Sequence, residues 1–428
     1  MFAGIDFGTT NSAAALAGRD GAARVVGIPA AAAPAETMRS LLAFDPDHRD
    51  HHRRLIPLVG HEAVEAYLDG GGAVRLLQSF KSYLTSRIFN SASLFGATYS
   101  LEEMIALVVG RLRVLAEAEG GEPLRRVVAG RPVRFVAEDG RAEDDFALDR
   151  LRRAFAAAGL DDVVFEYEPI AAACYYEQGL TRDETVLVAD FGGGTSDFCL
   201  VRLGPGRRGR ADPAEAILGT DGVGLAGDAF DRRIVEQGLG DLFGRDATFQ
   251  SGGKDLPVPA WLYGKLARWH HISFLNTGAT LRMLRDIQRH CDRPEAIARL
   301  LTLIEADLGY PLYRAVQGVK QALSGQEEVV LDFRQQGLDL HRRITRTEFE
   351  AWIAPDLAEM DAALDRLLTA SGVKADQVGR VFMTGGTSLV PAVRDLFARR
   401  FGAGRLEGGG EFVSVASGLA YRARELFS

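Results

Sequence analysis

Residues 186–200 read V-L-V-A-D-F-G-G-G-T-S-D-F-C-L, and the fold is decided here. Val186–Ala189 is an apolar run rich in β-branched residues, which predicts a buried strand. It ends on an acid, Asp190. Gly192, Gly193 and Gly194 follow, then Thr195, Ser196 and Asp197. Phe198–Val201 is a second apolar run, so the stretch reads as strand, turn, strand. Glycine lets backbone approach a ligand closely and take positive φ. Successive free N–H groups in such a turn make an anion-binding concavity. A carboxylate beside that concavity repels a bare phosphate, so Asp190 makes sense only with a cation between them. The stretch therefore reads as a phosphate loop with a metal site. A tight hairpin using glycine for geometry alone is the plainer alternative.

The pattern occurs twice. Residues 3–13 read A-G-I-D-F-G-T-T-N-S-A. With Asp6 set on Asp190, both stretches share D-F-G followed by threonine and serine. The two acids stand 184 residues apart (190 less 6) in a chain of 428. A repeat at about half-chain spacing predicts two similar lobes, each offering one phosphate hairpin to a shared cleft.

Composition sets the outer bounds. A chain of 428 residues is too long for one core and fits two lobes. It is 47% hydrophobic and 25% charged with net charge −8, which argues against sequence-independent nucleic-acid binding. Cys174, Cys199 and Cys291 are odd in number and far apart. That argues against a disulfide framework or a zinc site and fits a reducing cytoplasm. No signal peptide or membrane-spanning run is visible, so no membrane partner is expected. His48, His51 and His52 lie in D-P-D-H-R-D-H-H-R-R, which reads as a solvated loop rather than a metal cluster.

Along the chain, Val59–Leu68 has helical spacing. Leu76–Ile88 carries Lys81 among apolar and small polar residues. Its local sequence fits a snorkelling surface lysine, and also a lysine projecting toward phosphate. S-L-E-E at Ser100 opens a capped helix. Arg126–Phe135 reads as a strand, a Gly-Arg-Pro turn and more apolar chain, and a helix over Ala142–Gly159 follows. Val163–Tyr167 is strand-like. Glu168-Pro169 starts an alanine-rich helix, where the glutamate serves either the helix dipole or a cleft floor. Gly204–Arg210 is a basic turn. The glycines of 219–231 precede a helix and offer a further phosphate or ribose contact, or a plain loop. Trp261 and Trp269 fall on one helical face, as packing residues do. Thr345 and Glu348 form a capping box, and the helix they open is expected to break at Pro355. Arg380–Phe401 predicts a strand, a Gly-Gly turn, and a helix capped by Thr387 or Ser388. Val413–Phe427 is a final helix.

Asp6-Phe-Gly-Thr-Thr, Asp190-Phe-Gly-Gly-Gly-Thr and Gly385-Gly386-Thr-Ser, in that order, resemble the two phosphate motifs and the adenosine motif of the actin / sugar-kinase / heat-shock ATPase superfamily. G-I-D-F-G-T-T-N-S, E-P-I-A-A-A, D-F-G-G-G-T-S-D and G-G-T-S-L-V-P narrow the resemblance to the nucleotide-binding domain of DnaK-type heat-shock chaperones. G-R-P-V at 130–133 and W-L-Y-G-K-L-A-R-W at 261–269 are similar to the YegD-like short form. The resemblance implies an α/β, actin-like ATPase (duplicated ribonuclease-H-like) fold. Lobe I would cover 1–182 with an outer subdomain at about 36–102. Lobe II would cover 183–407 with an outer subdomain at about 225–350, and 408–428 would form a helix returning to lobe I.

ATP/ADP and Mg²⁺ are the implied cofactors. By family roles, Gly8, Thr9, Thr10 and Asn11 in the first hairpin and Gly192, Gly193, Gly194 and Thr195 in the second hold phosphates. Asp6 and Asp190 hold the metal through water. Lys81, Glu168, Thr195 and Asp197 are the implied catalytic set. Gly227, Lys320, Gln321, Ser324, Gly385, Gly386 and Thr387 line the nucleoside. The implied function is that of a weakly hydrolysing, chaperone-like ATPase, a monomer with client or co-chaperone proteins as partners. A small-molecule kinase and a nucleotide sensor or filament former are the competing readings.

The chain also departs from the pattern. Gln317 and Gln321 stand where the family has glutamate and arginine. Ala226 replaces a glycine, and Phe412-Val413-Ser414 replaces an acidic segment. The chain stops at Ser428, so the peptide clamp of DnaK is not expected.

Overall fold

The computed structural model describes residues 1–19, 21–30, 35–70, 73–135, 143–206, 216–410 and 413–428. Residues 31–34 of the loop before Glu36, residues 207–210 of the basic turn, Phe412 and the Trp269 side chain lie outside the described residues. The chain divides into two compact units. One holds Met1–Gly227 and Ala358–Ser428, the other Asp228–Leu357.

The two main sheets of the larger unit share one five-strand order, and the first carries a further short strand, Met38–Arg39, off that path. The first contains β1 (Phe2–Phe7), β2 (Asn11–Ala17), β3 (Arg24–Val25), β4 (Arg126–Arg131) and β5 (Asp162–Tyr167), in the order β5-β4-β1-β2-β3. The second contains β6 (Glu184–Phe191), β7 (Ser196–Leu203), β8 (Ile217–Val223), β9 (Arg380–Thr384) and β10 (Leu406–Gly408), in the order β10-β9-β6-β7-β8. In each, a hairpin and its third strand run antiparallel while the two remaining strands are parallel. Even the hairpin register repeats. Asp6 pairs with Ala13 and Phe7 with Ser12. Asp190 pairs with Asp197 and Phe191 with Ser196. The same offset of 184 relates both pairs, so Ala13 occupies in the first hairpin the place of Asp197 in the second.

Helices fill the faces between the sheets' strands: α1 (Leu101–Gly120), α2 (Asp144–Ala157), α3 (Glu168–Glu177), α4 (Pro391–Phe401) and α5 (Ser414–Phe427). The Ser100–Glu103 capping box forms as expected, each backbone N–H meeting the other's side chain. Leu16, Phe44, Leu112, Val127 and Phe155 pack into one core under α1 and α2. A second core joins Ile170–Ala173 of α3 to Val188, Cys199 and Leu419. Helix α5 lies close on β1 and α3 because two glycines allow it. A Cβ on Gly418 would overlap the Ala171 carbonyl, and one on Gly4 would meet the Ala416 carbonyl. All three cysteines are free thiols.

The smaller unit contains the helix Gly309–Gly325, the hairpin Glu328–Gln335 with Leu338–Thr345, and a bidentate pair between half-buried Arg233 and buried Asp356, both bonds 2.9 Å. The capping box of Thr345 and Glu348 is present. The helix it opens does not break at Pro355; it runs unbroken over Arg346–Ser371. Proline removes one N–H, and the turns on either side keep their own bonds. Among the described residues no helix is long and apolar enough to cross a membrane.

Candidate functional site

The ends of the two hairpins meet within the larger unit. In the first turn, the Gly8 N–H donates to Ser12 Oγ (3.3 Å), and Ser12 Oγ meets Ser40 Oγ (2.7 Å). Ser40 N–H in turn donates to the Thr10 carbonyl (2.9 Å). Only glycine fits at position 8, since a Cβ there would overlap the Asn11 carbonyl. Asn11 Oδ1 accepts from Arg39 Nη1 (3.3 Å).

The second turn is closed by Gly192 N–H to the Thr195 carbonyl (2.9 Å). None of Gly192, Gly193 or Gly194 takes a positive φ. Close approach explains the glycine at 194 instead. A Cβ there would stand 3.3 Å from Thr9 Oγ1 and 3.9 Å from Ser82 Oγ. The two turns thus face each other nearly in contact.

Between them sits a buried charge cluster. Lys81 lies in a one-turn helix, Phe80–Tyr83, entered through Ser79 in a left-handed conformation (φ 65°). Its Nζ donates to Glu168 Oε1 at 2.5 Å, and each side chain is only 8% exposed. Lys81 is therefore not a surface lysine. Glu168 is the first residue of α3, with Pro169 behind it pre-setting the helix. Gly130 on β4 leaves room for the acids: a Cβ there would be 3.1 Å from Glu168 Cγ and 3.5 Å from Asp6 Oδ1. Asp197 Oδ1 accepts the Val133 N–H at 2.9 Å.

The cluster is out of balance. Four carboxylates, Asp6, Glu168, Asp190 and Asp197, share one ammonium. Burial, then repulsion from Glu168, pushes Asp6 up to about 7, against the pull of Lys81. Asp197 rises to about 7 for the same two reasons, although the Thr195 hydroxyl and the Val133 N–H pull it back. Asp190 is raised well above the carboxylate range by burial and by Glu168, Asp6 and Asp197. Burial alone would lower Lys81, but Glu168 and Asp6 more than offset it and hold it above its ordinary value.

Such a set calls for added positive charge. A divalent cation fits the donor chemistry, since hard carboxylate oxygens suit Mg²⁺. Among the described residues no three acidic, histidine or cysteine side chains converge to hold a metal directly.

The remaining expected residues lie elsewhere. Gly385 follows β9 with φ +83°, and a Cβ would overlap the Phe191 carbonyl, so it locks the turn against the second hairpin. Gly386, Thr387 and Ser388 form a one-turn helix, and α4 starts only at Pro391 with Val390 as its cap. Thr387 and Ser388 therefore do not cap α4, because Pro391 supplies its own helix start. The Gly227 N–H points to the Gly192 carbonyl at 3.5 Å.

In the smaller unit, Lys320 pairs with buried Asp231 at 2.8 Å. Burial raises Asp231 to about 6 despite that pairing and a hydrogen bond from Gln317. Gln317 also donates to the Tyr313 hydroxyl (2.8 Å). Ser324 Oγ turns back onto the Lys320 carbonyl (3.4 Å), and Gln321 is exposed. The sequence reading passes over Asp231 and the Val133 N–H. The D-A-F-D spacing after Gly227 is the only local hint of the former.

Two hairpins of one register, repeated in two sheets of one topology, define the actin-like ATPase fold, a duplicated ribonuclease-H-like α/β architecture. The chain belongs to the Hsp70 protein family, whose model matches residues 79–249 and 309–424. It is 26% identical over 404 residues to the chaperone protein DnaK of Thermosipho melanesiensis, covering 93% of this chain and 55% of that one. The DnaK of Thermosipho africanus is 25% identical over 425 residues, 98% of this chain and 58% of that one. The DnaK of Thermotoga petrophila is 26% identical over 403 residues, with 93% and 55% covered. The chain thus spans little more than half the length of these relatives.

Proposed function

We propose that the chain binds ATP and ADP with Mg²⁺ and hydrolyses ATP slowly, as a chaperone-like protein whose conformation follows its nucleotide. The observation that carries this is the buried Lys81–Glu168 pair set among Asp6, Asp190 and Asp197 at the meeting of two like hairpins. The backbone N–H groups of the second turn and the hydroxyls of Thr9, Thr10 and Thr195 bind phosphate oxygens. Asp6 and Asp190 would hold the waters of a bound cation, which would supply charge neutralisation at the phosphates. Lys81 sits against the terminal phosphate and the attacking water, with Glu168 fixing its ammonium. Asp197, whose carboxyl is pushed up to about 7 by burial and Glu168, orients that water and takes up its proton. Gly227, Gly385, Gly386 and Thr387 receive the nucleoside, and client or co-chaperone proteins are the partners.

Positioning and charge neutralisation, rather than a strong base, are what phosphoryl transfer to water requires. The test is phosphate release from ATP by the purified protein, with and without candidate sugars. Turnover that needs a sugar would replace this reading with a kinase. Tight binding without turnover would make the protein a sensor.

A further inference from the structure

Arg150 is among the most deeply buried side chains of the molecule, 2% exposed, and the proposed chemistry does not use it. It lies mid-way along α2. Its Nε donates to Glu102 Oε1 at 2.8 Å, at the start of α1. Its Nη1 donates to three main-chain carbonyls, those of Tyr83 (3.4 Å), Ser86 (2.9 Å) and Phe89 (3.3 Å). All three belong to the stretch that begins with the Lys81 turn. That stretch has little structure of its own beyond the single turn Phe80–Tyr83. A buried guanidinium carries five donors in a rigid fork, and here it serves as the frame the segment otherwise lacks.

Helix α2 carries a second tether. Asp144, in its first turn, accepts the Phe135 N–H at 2.7 Å and Arg131 Nη2 at 3.3 Å. This holds the strap whose Val133 N–H meets Asp197. One helix thus sets both the Lys81 turn and the strap on Asp197.

We propose that Arg150 is a positioning residue for Lys81. By gathering the carbonyls that follow the Lys81 turn, it fixes where the ammonium stands relative to Glu168 and a bound terminal phosphate. This rests on the ATPase reading for its consequence in rate, and on geometry alone for the placement of Lys81. A displacement of about 1 Å at such a group costs on the order of a hundredfold in rate.

The experiment uses the full chain with Arg150→Met/Glu102→Gln, which removes both charges of the pair together, and Arg150→Lys, which keeps the charge but not the fork. Single-turnover ATP hydrolysis, ADP affinity and melting temperature are measured, each also in a Lys81→Ala background. The expected result is a loss of tenfold or more in single-turnover rate, with ADP affinity within about threefold of the parent. No further loss is expected once Lys81 is gone, because Arg150 acts through it. An equal loss with and without Lys81, or a fall in melting temperature with the rate per folded molecule unchanged, would overturn the proposal.

Reductive methylation of Lys81, followed by mass spectrometry, reads its placement without any turnover. Lys81 is expected to react slowly in the parent and several-fold faster in both Arg150 variants, as its contact with Glu168 loosens. If the parent hydrolyses no ATP, the ATPase reading fails while this measurement still decides the role of Arg150; unchanged reactivity refutes it.

Discussion

Removing either partner of a buried ion pair ordinarily costs about 3–5 kcal/mol, because the other charge is left unpaired. The Lys81–Glu168 pair should break that symmetry. Lys81→Met leaves four buried carboxylates with no ammonium and is expected to cost the full 3–5 kcal/mol or so. Glu168→Gln is different. Lys81 still faces Asp6 and Asp197, and Asp6, Asp190 and Asp197 each lose one repelling neighbour. A like-charge pair a few ångströms apart costs on the order of 2–4 kcal/mol at the effective dielectric of such sites. Relief of that repulsion offsets the lost pairing, so Glu168→Gln should stay within about 1 kcal/mol of the parent, or exceed it.

Urea denaturation of the nucleotide-free, metal-free protein measures both, and the pH dependence sharpens the contrast. Asp6 and Asp197 hold their protons up to about 7 when folded and release them near 3.8 when unfolded. Between these values the folded state binds more protons, so stability falls as pH rises from about 4 to about 7. A rise of this size corresponds to roughly 4 kcal/mol for each carboxyl. Because Glu168 is the largest cause after burial in both shifts, Glu168→Gln should flatten the fall. A Glu168→Gln variant as unstable as Lys81→Met, with the parent's pH slope, would refute the picture of a cluster short of positive charge.

Four further outcomes follow from the geometry. Magnesium-ADP should raise the melting temperature more at pH 8 than at pH 6, since the cation displaces protons from the cluster; equal shifts would count against it. Lys81→Ala should keep ADP affinity and lose hydrolysis on the order of a hundredfold, which single-turnover assays read directly. Gly8→Ala forces a Cβ into the Asn11 carbonyl and should weaken nucleotide binding at least tenfold by calorimetry, whereas Gly96→Ala at an open turn should not. Arg233→Met strands buried Asp356 and should cost about 3 kcal/mol in urea.

Both hairpins were legible from the sequence, down to their common offset of 184 residues. A hairpin is local: two apolar runs and a glycine turn determine it, and its pairings stay within one short stretch of chain, from Glu184 with Leu203 inward. The Glu168-Pro169 helix start and the Ser100 and Thr345 caps were legible for the same reason. The glycine triplet left two uses open, close approach and positive φ, and which one applies depends on the neighbour met, for Gly194 Thr9.

Tertiary structure alone decided the rest. Lys81 reads as a surface lysine in its own stretch, and it becomes buried only because Glu168, 87 residues on, meets its ammonium. The Val133 N–H on Asp197, the Arg150 frame and the Asp231–Lys320 pair likewise join segments distant in the chain. Spacing within a segment shows which face is apolar, but not which other segment will cover it. That choice is made by packing, where the whole core closes at once, and the charge cluster is set by how it closes.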